Sequence, residues 1–345
     1  MYRISSVAKS VLVEANGSTR TLILNRPKQL NALSSAMVMG LLRCFTAYER
    51  DDGVKLVILK GKGRAFCAGG DVAEVVRGII NDSWKYGVDF FRNEFSLNYI
   101  IATYSKPQVS LLTGIVFGGG AGVSLHGKFR VATDNTVFAM PETALGLFPD
   151  IGASYFLSRL PGFYGYLFSP FLIHLTRLRL LEESLKRVNT SDPFAVCSII
   201  DQFAEQPTLK ENSSLNRLDI INKCFSKKTV EEIISALEQD APTNVADEWI
   251  SATVQSLKKA SPTSLKISLR SIRVGRTQTV GECLRREYRM VCHVMRGDFS
   301  RDFFEVNINI HNTAISNDPL AGMQGYTDRQ RSKPKVGAFK VGTST

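Results

Sequence analysis

Apolar positions in the first part of the chain form short runs separated by turn residues. Two runs, at residues 11–13 and 19–24, flank Asn16-Gly17, a dipeptide that adopts positive φ easily and is typical of a β-hairpin. Residues 38–48 instead place their apolar side chains at helical spacing. The pattern predicts two antiparallel strands followed by an amphipathic helix.

A strand, a glycine-rich turn and a helix then follow one another twice. Residues 54–59 are typical of a buried strand, and the glycines within residues 61–70 end it before a predicted helix. The apolar run at residues 109–117 similarly meets Gly118-Gly119-Gly120, after which a short helix is expected. We expect the two units to present similar turns.

The rest of the pattern divides the chain into an α/β part and a helical part. Residues 129–133 and 136–139, joined through Asp134-Asn135, predict another hairpin. Beyond about residue 185 the apolar positions follow helical spacing. Alternating strands and helices favour an α/β architecture with largely parallel strands.

Composition adds an expectation about the ligand. The 345 residues are 44% apolar and carry a formal net charge of +11, which suggests an anionic partner. Because the basic residues are scattered and no zinc-finger or RNA-binding signature is present, a phosphorylated small molecule fits better than nucleic acid. Six widely spaced cysteines and four distant histidines form no metal-binding pattern, so we expect no metal.

The sequence predicts no membrane span. The uncharged run at residues 109–125 is short for one and contains five glycines, so we expect it to be buried. The first ten residues carry Arg3 and Lys9 without acidic residues, which suits part of an organellar transit peptide.

The two glycine turns are candidates for binding an oxyanion. Each leads from a strand into a helix start, where backbone N–H groups lack helical partners. If Gly70 and Gly119 direct N–H groups at one point, they would stabilise the tetrahedral intermediate of a thioester by roughly 3 kcal/mol per donor. For either turn alone, tight packing of a strand against a helix is the simpler explanation.

Two carboxylates lie in an otherwise apolar segment at residues 141–150. Burial disfavours the charged form of Glu142 and Asp150, so their presence suggests partners or a chemical use. The alternative is that both residues cap helix starts, and spacing alone does not separate the two interpretations. Glu94, taken alone, is typical of an ordinary helix-surface residue.

Four segments together resemble the crotonase superfamily, also described as the enoyl-CoA hydratase/isomerase superfamily. They are Asn25–Leu33, Gly63–Asp71, Gly118–Gly120 and Pro141–Asp150. The resemblance is closest to the 3-hydroxyisobutyryl-CoA hydrolase branch, especially its plant members. It covers residues 10–165 densely and resumes over about residues 178–306.

This resemblance implies a crotonase-like fold of repeated β-β-α units with a helical C-terminal region. It further implies that Gly70 and Gly119 form an oxyanion hole, and that the substrate contacts are Glu94, Gly119, Glu142 and Asp150. Glu142 would activate water or attack the thioester directly, while Asp150 would bind the acyl hydroxyl. Arg26, Lys28 and Lys62 are candidates for binding the coenzyme A phosphates, although exposed basic residues are more often simply solvated.

Gly122 separates the two main activities of the superfamily. Hydratases resemble one another in carrying a second glutamate at this position, because adding water to a double bond uses two carboxylates. A hydrolase needs only Glu142 and its helper, so the resemblance favours hydrolysis, with an enoyl-CoA hydratase as the weaker alternative.

The resemblance predicts four regions. They are an acyl-CoA-binding core at 10–165, a divergent segment at 166–182, a helical region at 183–306, and a divergent, poorly ordered tail at 307–345. A family segment is missing after about residue 165, and we expect its loss to expose apolar surface. These departures leave a second hypothesis, in which a truncated, catalytically impaired chain still binds acyl-CoA or intact subunits.

Family resemblance also sets the remaining expectations. The partner is an acyl-CoA substrate, no separate cofactor is needed because coenzyme A is part of that substrate, and neither nucleic acid nor membrane is expected. A homo-oligomer fits the resemblance, as does a mitochondrial or peroxisomal location. Because no clear targeting signal is present, a cytosolic location also stays open.

Overall fold

The computed structural model describes residues 10–160, 171–205, 214–240, 248–297, 303–304 and 339–341. Strands and helices alternate through its first half, and helices dominate the second. The strands are β1 (Val11–Asn16), β2 (Thr19–Leu24), β3 (Leu56–Gly61), β4 (Ala65–Cys67), β5 (Gln108–Leu112), β6 (Ile115–Phe117), β7 (Phe129–Thr133), β8 (Thr136–Ala139), β9 (Phe171–Ile173) and β10 (Phe339–Val341). The helices are α1 (Ser35–Glu49), α2 (Val72–Asn81), α3 (Trp84–Ala102), α4 (Gly119–Leu125), α5 (Ala153–Leu157), α6 (Leu178–Lys186), α7 (Pro193–Asp201), α8 (Leu218–Phe225), α9 (Val230–Asp240), α10 (Glu248–Lys259), α11 (Pro262–Gly275) and α12 (Val280–Arg296).

Two sheets form the α/β part of the described residues. The larger has the order β1-β2-β3-β5-β7-β9, with β1 antiparallel to β2 and all other neighbours parallel. The smaller has the order β10-β8-β6-β4, with β10 antiparallel and the other three strands parallel. Both the hairpin at Asn16-Gly17 and the largely parallel α/β architecture are confirmed.

Consecutive strands divide between the two sheets. In each of the pairs β3–β4, β5–β6 and β7–β8, the first strand joins the larger sheet and the second joins the smaller one. Helices α2 and α4 follow the first two pairs, which confirms the expected β-β-α units.

The prediction of a hairpin at residues 129–139 is wrong, because β7 and β8 do not pair with each other. The Thr136 hydroxyl donates to the Leu112 carbonyl (2.5 Å) and accepts from the Thr133 N–H (2.8 Å), so this turn is a corner between sheets. The run at residues 109–117 is likewise divided, at Gly114, whose φ is 64°.

The larger sheet is buried on both faces. Val57 and Leu59 of β3 pack into a core shared with α1, α3, α4 and α12, whereas Leu56 and Ile58 face a second core with α6 and α7. Side chains alternate across a strand, so a strand with helices on both sides is apolar at every position. This explains the continuous apolar run that predicted β3.

C-terminal helices pack back onto the α/β part, as α12 lies along α3 and α11 lies against α5. A capping box of Thr279 and Glu282 begins α12. Ser261 caps α11 by accepting from the Ser264 N–H at 3.2 Å. The expected helical region is confirmed for the described residues.

The two divergent segments are described only in part. Within 166–182, residues 171–182 supply β9 and the start of α6, and Ile173 and Leu181 are fully buried against the larger sheet. Within 307–345, only β10 is described, and it pairs with β8. The remaining residues of both segments lie outside the described part, and the predicted domain boundaries stay predictions.

Candidate active site

The first glycine turn leaves the N–H of Gly70 without a hydrogen-bond partner among the described residues. Leu33 holds both sides of the turn, because its N–H donates to the Gly69 carbonyl (2.8 Å) and its carbonyl accepts from the Asp71 N–H (2.9 Å). Asp71 then caps α2 by accepting from the Glu74 N–H at 3.0 Å. Within the described residues nothing accepts from Gly70, so its N–H is available to a ligand.

The second glycine turn likewise leaves the N–H of Gly119 without a hydrogen-bond partner among the described residues. Gly118 adopts a φ of 44°, donates to the Ala139 carbonyl (3.2 Å) and accepts from Ala121 (2.8 Å) and Gly122 (3.2 Å). A positive φ of this kind favours glycine. Gly119 is the first residue of α4, where an N–H has no helical partner, and no other described residue accepts from it.

These two N–H groups lie beside each other. A Cβ built on Gly119 would be 3.1 Å from the Gly70 nitrogen, and one built on Gly69 would be 3.8 Å from the Gly119 nitrogen. The structure therefore brings together the two donors that the sequence analysis named. Two adjacent unpaired donors can hold one oxyanion, and this role stays a prediction.

Glu94 extends from α3 to this pair of donors. A Cβ on Gly119 would collide with its Oε1, and one on Gly70 would lie 4.0 Å from the same atom. Glu94 is 1% exposed and Oε1 has no hydrogen-bond partner among the described residues. Burial raises the pKa of Glu94 to about 8. Its interpretation as a surface residue is wrong. The substrate contact that the resemblance implies for Glu94 stays a prediction.

The carboxyl group of Glu142 lies beside the second glycine turn. It lies in a 3₁₀ turn after β8, and a Cβ on Gly118 would be 2.6 Å from its Oε1. Its Oε2 and the Oδ2 of Asp150 are buried without partners in the described part of the chain. The alternative that these two side chains cap helix starts is wrong, since neither the turn at Glu142 nor α5 has a side-chain N-cap bond from them.

The electrostatics of these carboxyl groups follow from their burial. Burial raises the pKa of Glu142 to about 8, with Glu94 and Glu287 adding to the rise against a hydrogen bond from the main chain of Glu142. Burial, followed by the negative charge of Glu142, raises the pKa of Asp150 well above its usual range. With a pKa of about 8, Glu142 can exchange a proton near neutral pH.

Glu287 of α12 positions the loop that carries Asp150. Its carboxylate accepts from the N–H groups of Gly152 (2.6 Å) and Ser154 (3.0 Å) and from the Ser154 hydroxyl. It thereby caps α5 from 135 residues away in sequence. Sequence analysis missed Glu287, because no local pattern signals a cap supplied by a distant helix.

Gly122 marks a second close approach. A Cβ there would lie 2.8 Å from Nδ2 of Asn98 and 2.9 Å from Cβ of Ile151. A side chain on Gly122, such as the glutamate that the resemblance gives to hydratases at this position, would therefore require Asn98 and Ile151 to move. Sequence analysis also missed Asn98, although its spacing of four residues from Glu94 on α3 was a usable signal.

The three basic candidates lie on two adjoining surface loops. Arg26 pairs with Asp71 (2.9 Å) and donates to the Ala32 carbonyl (2.6 Å), so it already holds the first glycine turn in place. Lys28 and Lys62 are exposed. Binding of phosphate by these residues stays a prediction.

The expected absences concern metal ions and the membrane. Within the described ranges, no group of three or more His, Cys, Asp or Glu side chains is arranged to hold a metal ion. None of the helices described in the structure is both long and apolar enough to cross a membrane.

Sequence comparison identifies the class of protein to which this site belongs. The profile of the family described as Enoyl-CoA hydratase/isomerase matches residues 19–170 and 168–308. The chain therefore belongs to the enoyl-CoA hydratase/isomerase family, as the resemblance predicted. The two matches meet at residues 168–170, close to the place where the family segment was expected to be missing.

Individual relatives match most of the chain. The chain is 61% identical to 3-hydroxyisobutyryl-CoA hydrolase 1 of Arabidopsis thaliana, with 86% of this chain and 82% of the relative covered. It is 38% identical to the mitochondrial 3-hydroxyisobutyryl-CoA hydrolase of Homo sapiens, with 88% and 82% covered. It is also 40% identical to small ribosomal subunit protein mS47 of Arabidopsis thaliana, with 84% and 76% covered.

A solved structure confirms the fold. Carnitinyl-CoA dehydratase from Mycobacterium thermoresistibile superposes with a TM-score of 0.75 at 32% identity, with 86% of this chain and 88% of that chain covered. The crotonase-like fold expected from the resemblance is therefore confirmed.

Proposed function

We propose that the chain hydrolyses a short-chain hydroxyacyl-CoA thioester, namely 3-hydroxyisobutyryl-CoA, to 3-hydroxyisobutyrate and coenzyme A in valine degradation. The observation that carries this proposal is the convergence of two unpaired N–H groups, from Gly70 and Gly119, with the unpaired carboxyl oxygens of Glu94 and Glu142. The 61% identity to a plant relative named for this activity supports it.

In the proposed reaction the thioester oxygen accepts hydrogen bonds from Gly70 and Gly119. Ionised Glu142 removes a proton from water, or attacks the carbonyl itself, and negative charge develops on the oxygen between the two donors. When water attacks, its oxygen forms the new C–O bond, the C–S bond breaks, and the coenzyme A thiolate takes up the proton that Glu142 removed. When Glu142 itself attacks, the C–S bond breaks to leave an acyl–Glu142 anhydride, which water then hydrolyses to the free acid. Asp150 contacts the acyl hydroxyl and assists the proton transfer. The chemistry uses only the chain's own groups and water.

The pKa values suit this assignment. A general base works best when its pKa is near the working pH, and burial raises the pKa of Glu142 to about 8. The thiol of coenzyme A is, like that of cysteine with a pKa of roughly 8.5, much more acidic than an alcohol, so its thiolate leaves without a strong general acid. One strong base and a helper are therefore sufficient for hydrolysis.

Hydration of an enoyl-CoA fits the site less well. That reaction uses a second carboxylate at the position of Gly122, where Asn98 and Ile151 fill the space. The proposed assignment is therefore a hydrolase.

A second candidate is a catalytically impaired chain that binds acyl-CoA or intact subunits. The 40% identity to a ribosomal subunit protein favours keeping it, because a chain of this family can carry a name unrelated to catalysis. By family kinship we further propose a mitochondrial location, like that in the name of the human relative, and a homo-oligomer.

The test follows thiol release from 3-hydroxyisobutyryl-CoA by the wild-type chain and by Glu142→Gln. We expect the substitution to lower the rate on the order of 10³-fold, as for loss of a general base. Glu183→Gln, a change of the same kind at an exposed position, is the matched control and should leave the rate unaltered.

Thermal melts with and without coenzyme A complete this test, because a ligand that binds the folded state raises its melting temperature. Equal rates for wild type and Glu142→Gln would contradict the role of Glu142. A wild-type chain that releases no thiol but is stabilised by coenzyme A would support the second candidate instead.

A further inference from the structure

Asn98 is a buried amide without partners. It lies on α3, is 0% exposed, and neither Nδ2 nor Oδ1 forms a hydrogen bond with any described residue. Leaving a carboxamide unpaired in a protein interior is unfavourable by about 1–3 kcal/mol for each lost partner. An amide in this condition points to a ligand that supplies both an acceptor and a donor.

Other buried amides of the chain show that this state is unusual. Asn31 is equally buried, but its Nδ2 donates to Lys62 (3.0 Å) and Ala65 (2.8 Å) and its Oδ1 accepts from Arg26 (2.8 Å). Nε2 of Gln108 donates to Ser110 (2.9 Å) and Val123 (2.8 Å). Among the described side chains, Asn98 is thus distinguished by having both ends of its amide unpaired.

The position of Asn98 relates it to the candidate active site. It follows Glu94 by one helical turn, so the two side chains project from the same face of α3, about 6 Å apart along the axis. Its Nδ2 lies at Gly122, which follows the oxyanion donor Gly119 by about 4.5 Å along α4. The amide therefore lies beside α4, past Gly119 along that helix and one turn from Glu94 along α3.

The loop of Asp150 reaches the same place. A Cβ built on Gly122 would lie 2.9 Å from Cβ of Ile151 and 2.8 Å from Nδ2 of Asn98, so both residues contact the same position on α4. Ile151 has a φ of 53°, a conformation that a β-branched residue rarely adopts. Such backbone strain persists where surrounding contacts enforce it and often accompanies function. Here it holds Ile151, the residue after Asp150, at the same position on α4 as the amide.

We propose that Asn98 is a specificity-determining residue whose carboxamide binds the hydroxyl of the acyl group. This inference rests on the proposed function. A hydroxyl offers one donor and two acceptor sites, so it can accept from Nδ2 of the amide and donate either to Oδ1 or to Asp150. In a 3-hydroxyacyl thioester the hydroxyl lies roughly 4 Å from the carbonyl carbon, comparable with the rise of about 4.5 Å along α4 from Gly119 to Gly122, where Nδ2 of Asn98 lies.

The experiment compares kcat/KM for 3-hydroxyisobutyryl-CoA and for isobutyryl-CoA, which lacks the hydroxyl, in wild type, Asn98→Leu and Asn98→Ala. We expect both variants to lose roughly tenfold or more of the wild-type preference for the hydroxylated substrate, mainly through its lower kcat/KM. The two variants fill the space differently, so an effect common to both belongs to the lost amide. Thr253→Val, on α10, is a control for removal of a buried polar group elsewhere.

A melt of the ligand-free proteins adds a second readout. Replacing an unpaired buried amide by an apolar side chain of similar size removes an unfavourable term, so Asn98→Leu should melt at or above the temperature of wild type. Thr253 donates to the Trp249 carbonyl at 2.7 Å, so Thr253→Val should not melt higher.

The outcomes separate this inference from the proposed function. If both substrates lose activity by the same factor in the Asn98 variants, the amide has a structural or water-binding role and the inference is overturned. If wild type releases no thiol from either substrate, the proposed function itself fails. A selective loss for the hydroxylated substrate supports both.

Discussion

Two sets of buried carboxyl groups in this chain differ in their partners. Glu94, Glu142 and Asp150, around the glycine turns, each keep an oxygen without a hydrogen bond in the described part of the chain. Glu287 of α12 accepts from Gly152 and Ser154. Glu182 of α6 pairs with Lys60 (2.5 Å) and Lys186 (3.1 Å).

We call Glu94, Glu142 and Asp150 the site set, and Glu287 and Glu182 the scaffold set. The carboxyl groups of Glu287 and Glu182 form hydrogen bonds and ion pairs with other parts of the chain, and these interactions stabilise the fold. The unpaired set is unfavourable to folding, which is the usual condition of groups kept for a ligand. Burial alone therefore does not distinguish these two sets of carboxyl groups. The candidate-site carboxyl groups differ from the scaffold carboxyl groups in keeping an oxygen without a partner among the described residues.

The largest expected effect concerns the pH dependence of catalysis. Glu142 must be ionised to act as a base or nucleophile, and burial raises its pKa to about 8. The kcat/KM of the free enzyme should therefore rise roughly tenfold per pH unit as pH increases toward 8 and then level off. Initial rates from pH 5.5 to 9 measure this. A profile that is flat between pH 6 and 8 would show that no unpaired carboxyl group controls the reaction.

The next effect tests the scaffold carboxylate. Glu287→Gln leaves one acceptor oxygen for two backbone N–H groups and turns an NH₂ toward one of them. We expect a loss of about 2–3 kcal/mol in the free energy of unfolding, as for hydrogen bonds to a charged group. Denaturant unfolding at pH 8 measures it, and unaltered stability would remove Glu287 from the scaffold set.

The matched change in the site set should have the opposite sign. Burial raises the pKa of Glu94 in the folded state to about 8, whereas its pKa in the unfolded chain is 4.5. Below pH 4.5 the side chain is protonated in both states, and its ionisation does not affect stability. As pH rises from about 4.5 through 8, the folded state holds a proton that the unfolded state has released, and this part of the stability is lost. The side chain of Glu94→Gln cannot ionise. At pH 8 this variant should therefore have a free energy of unfolding about 1 kcal/mol or more above that of wild type, and a higher denaturant midpoint.

Repeating both unfolding curves at pH 5 sharpens this result. The advantage of Glu94→Gln should shrink there, because wild-type Glu94 is protonated in the folded state. Destabilisation by Glu94→Gln at pH 8 would mean that Glu94 belongs with the scaffold carboxylates.

The smallest effect concerns the partly exposed ion pair. Burial alone would raise the pKa of Glu182, but Lys60 and Lys186 more than offset it, and the pKa is lowered. Lys60→Met leaves Lys186 in place, and the Lys60 side chain is 29% exposed, so we expect a loss below about 1 kcal/mol that diminishes with added salt. A loss as large as that of Glu287→Gln would contradict this ranking.

Features that depend on neighbouring residues were predictable from the sequence. Asn16-Gly17 produces its hairpin because the turn conformation depends on those two residues. The glycine turns precede helices as expected, and Asp71 caps α2. The hydrolase assignment itself came from the joint resemblance of several segments, and the family match confirmed that resemblance.

Features that depend on distant residues were decided only by the tertiary structure. Strand β8 pairs with β6 in the smaller sheet and not with β7. The local pattern of apolar and polar residues cannot show which strand a distant segment will pair with. Glu94 became buried when α3 packed against α4, and the cap from Glu287 arrived from a distant helix. Sequence patterns thus determined the turns, the helices and the chemical groups. Long-range packing decided which of those groups lost water and were left without partners.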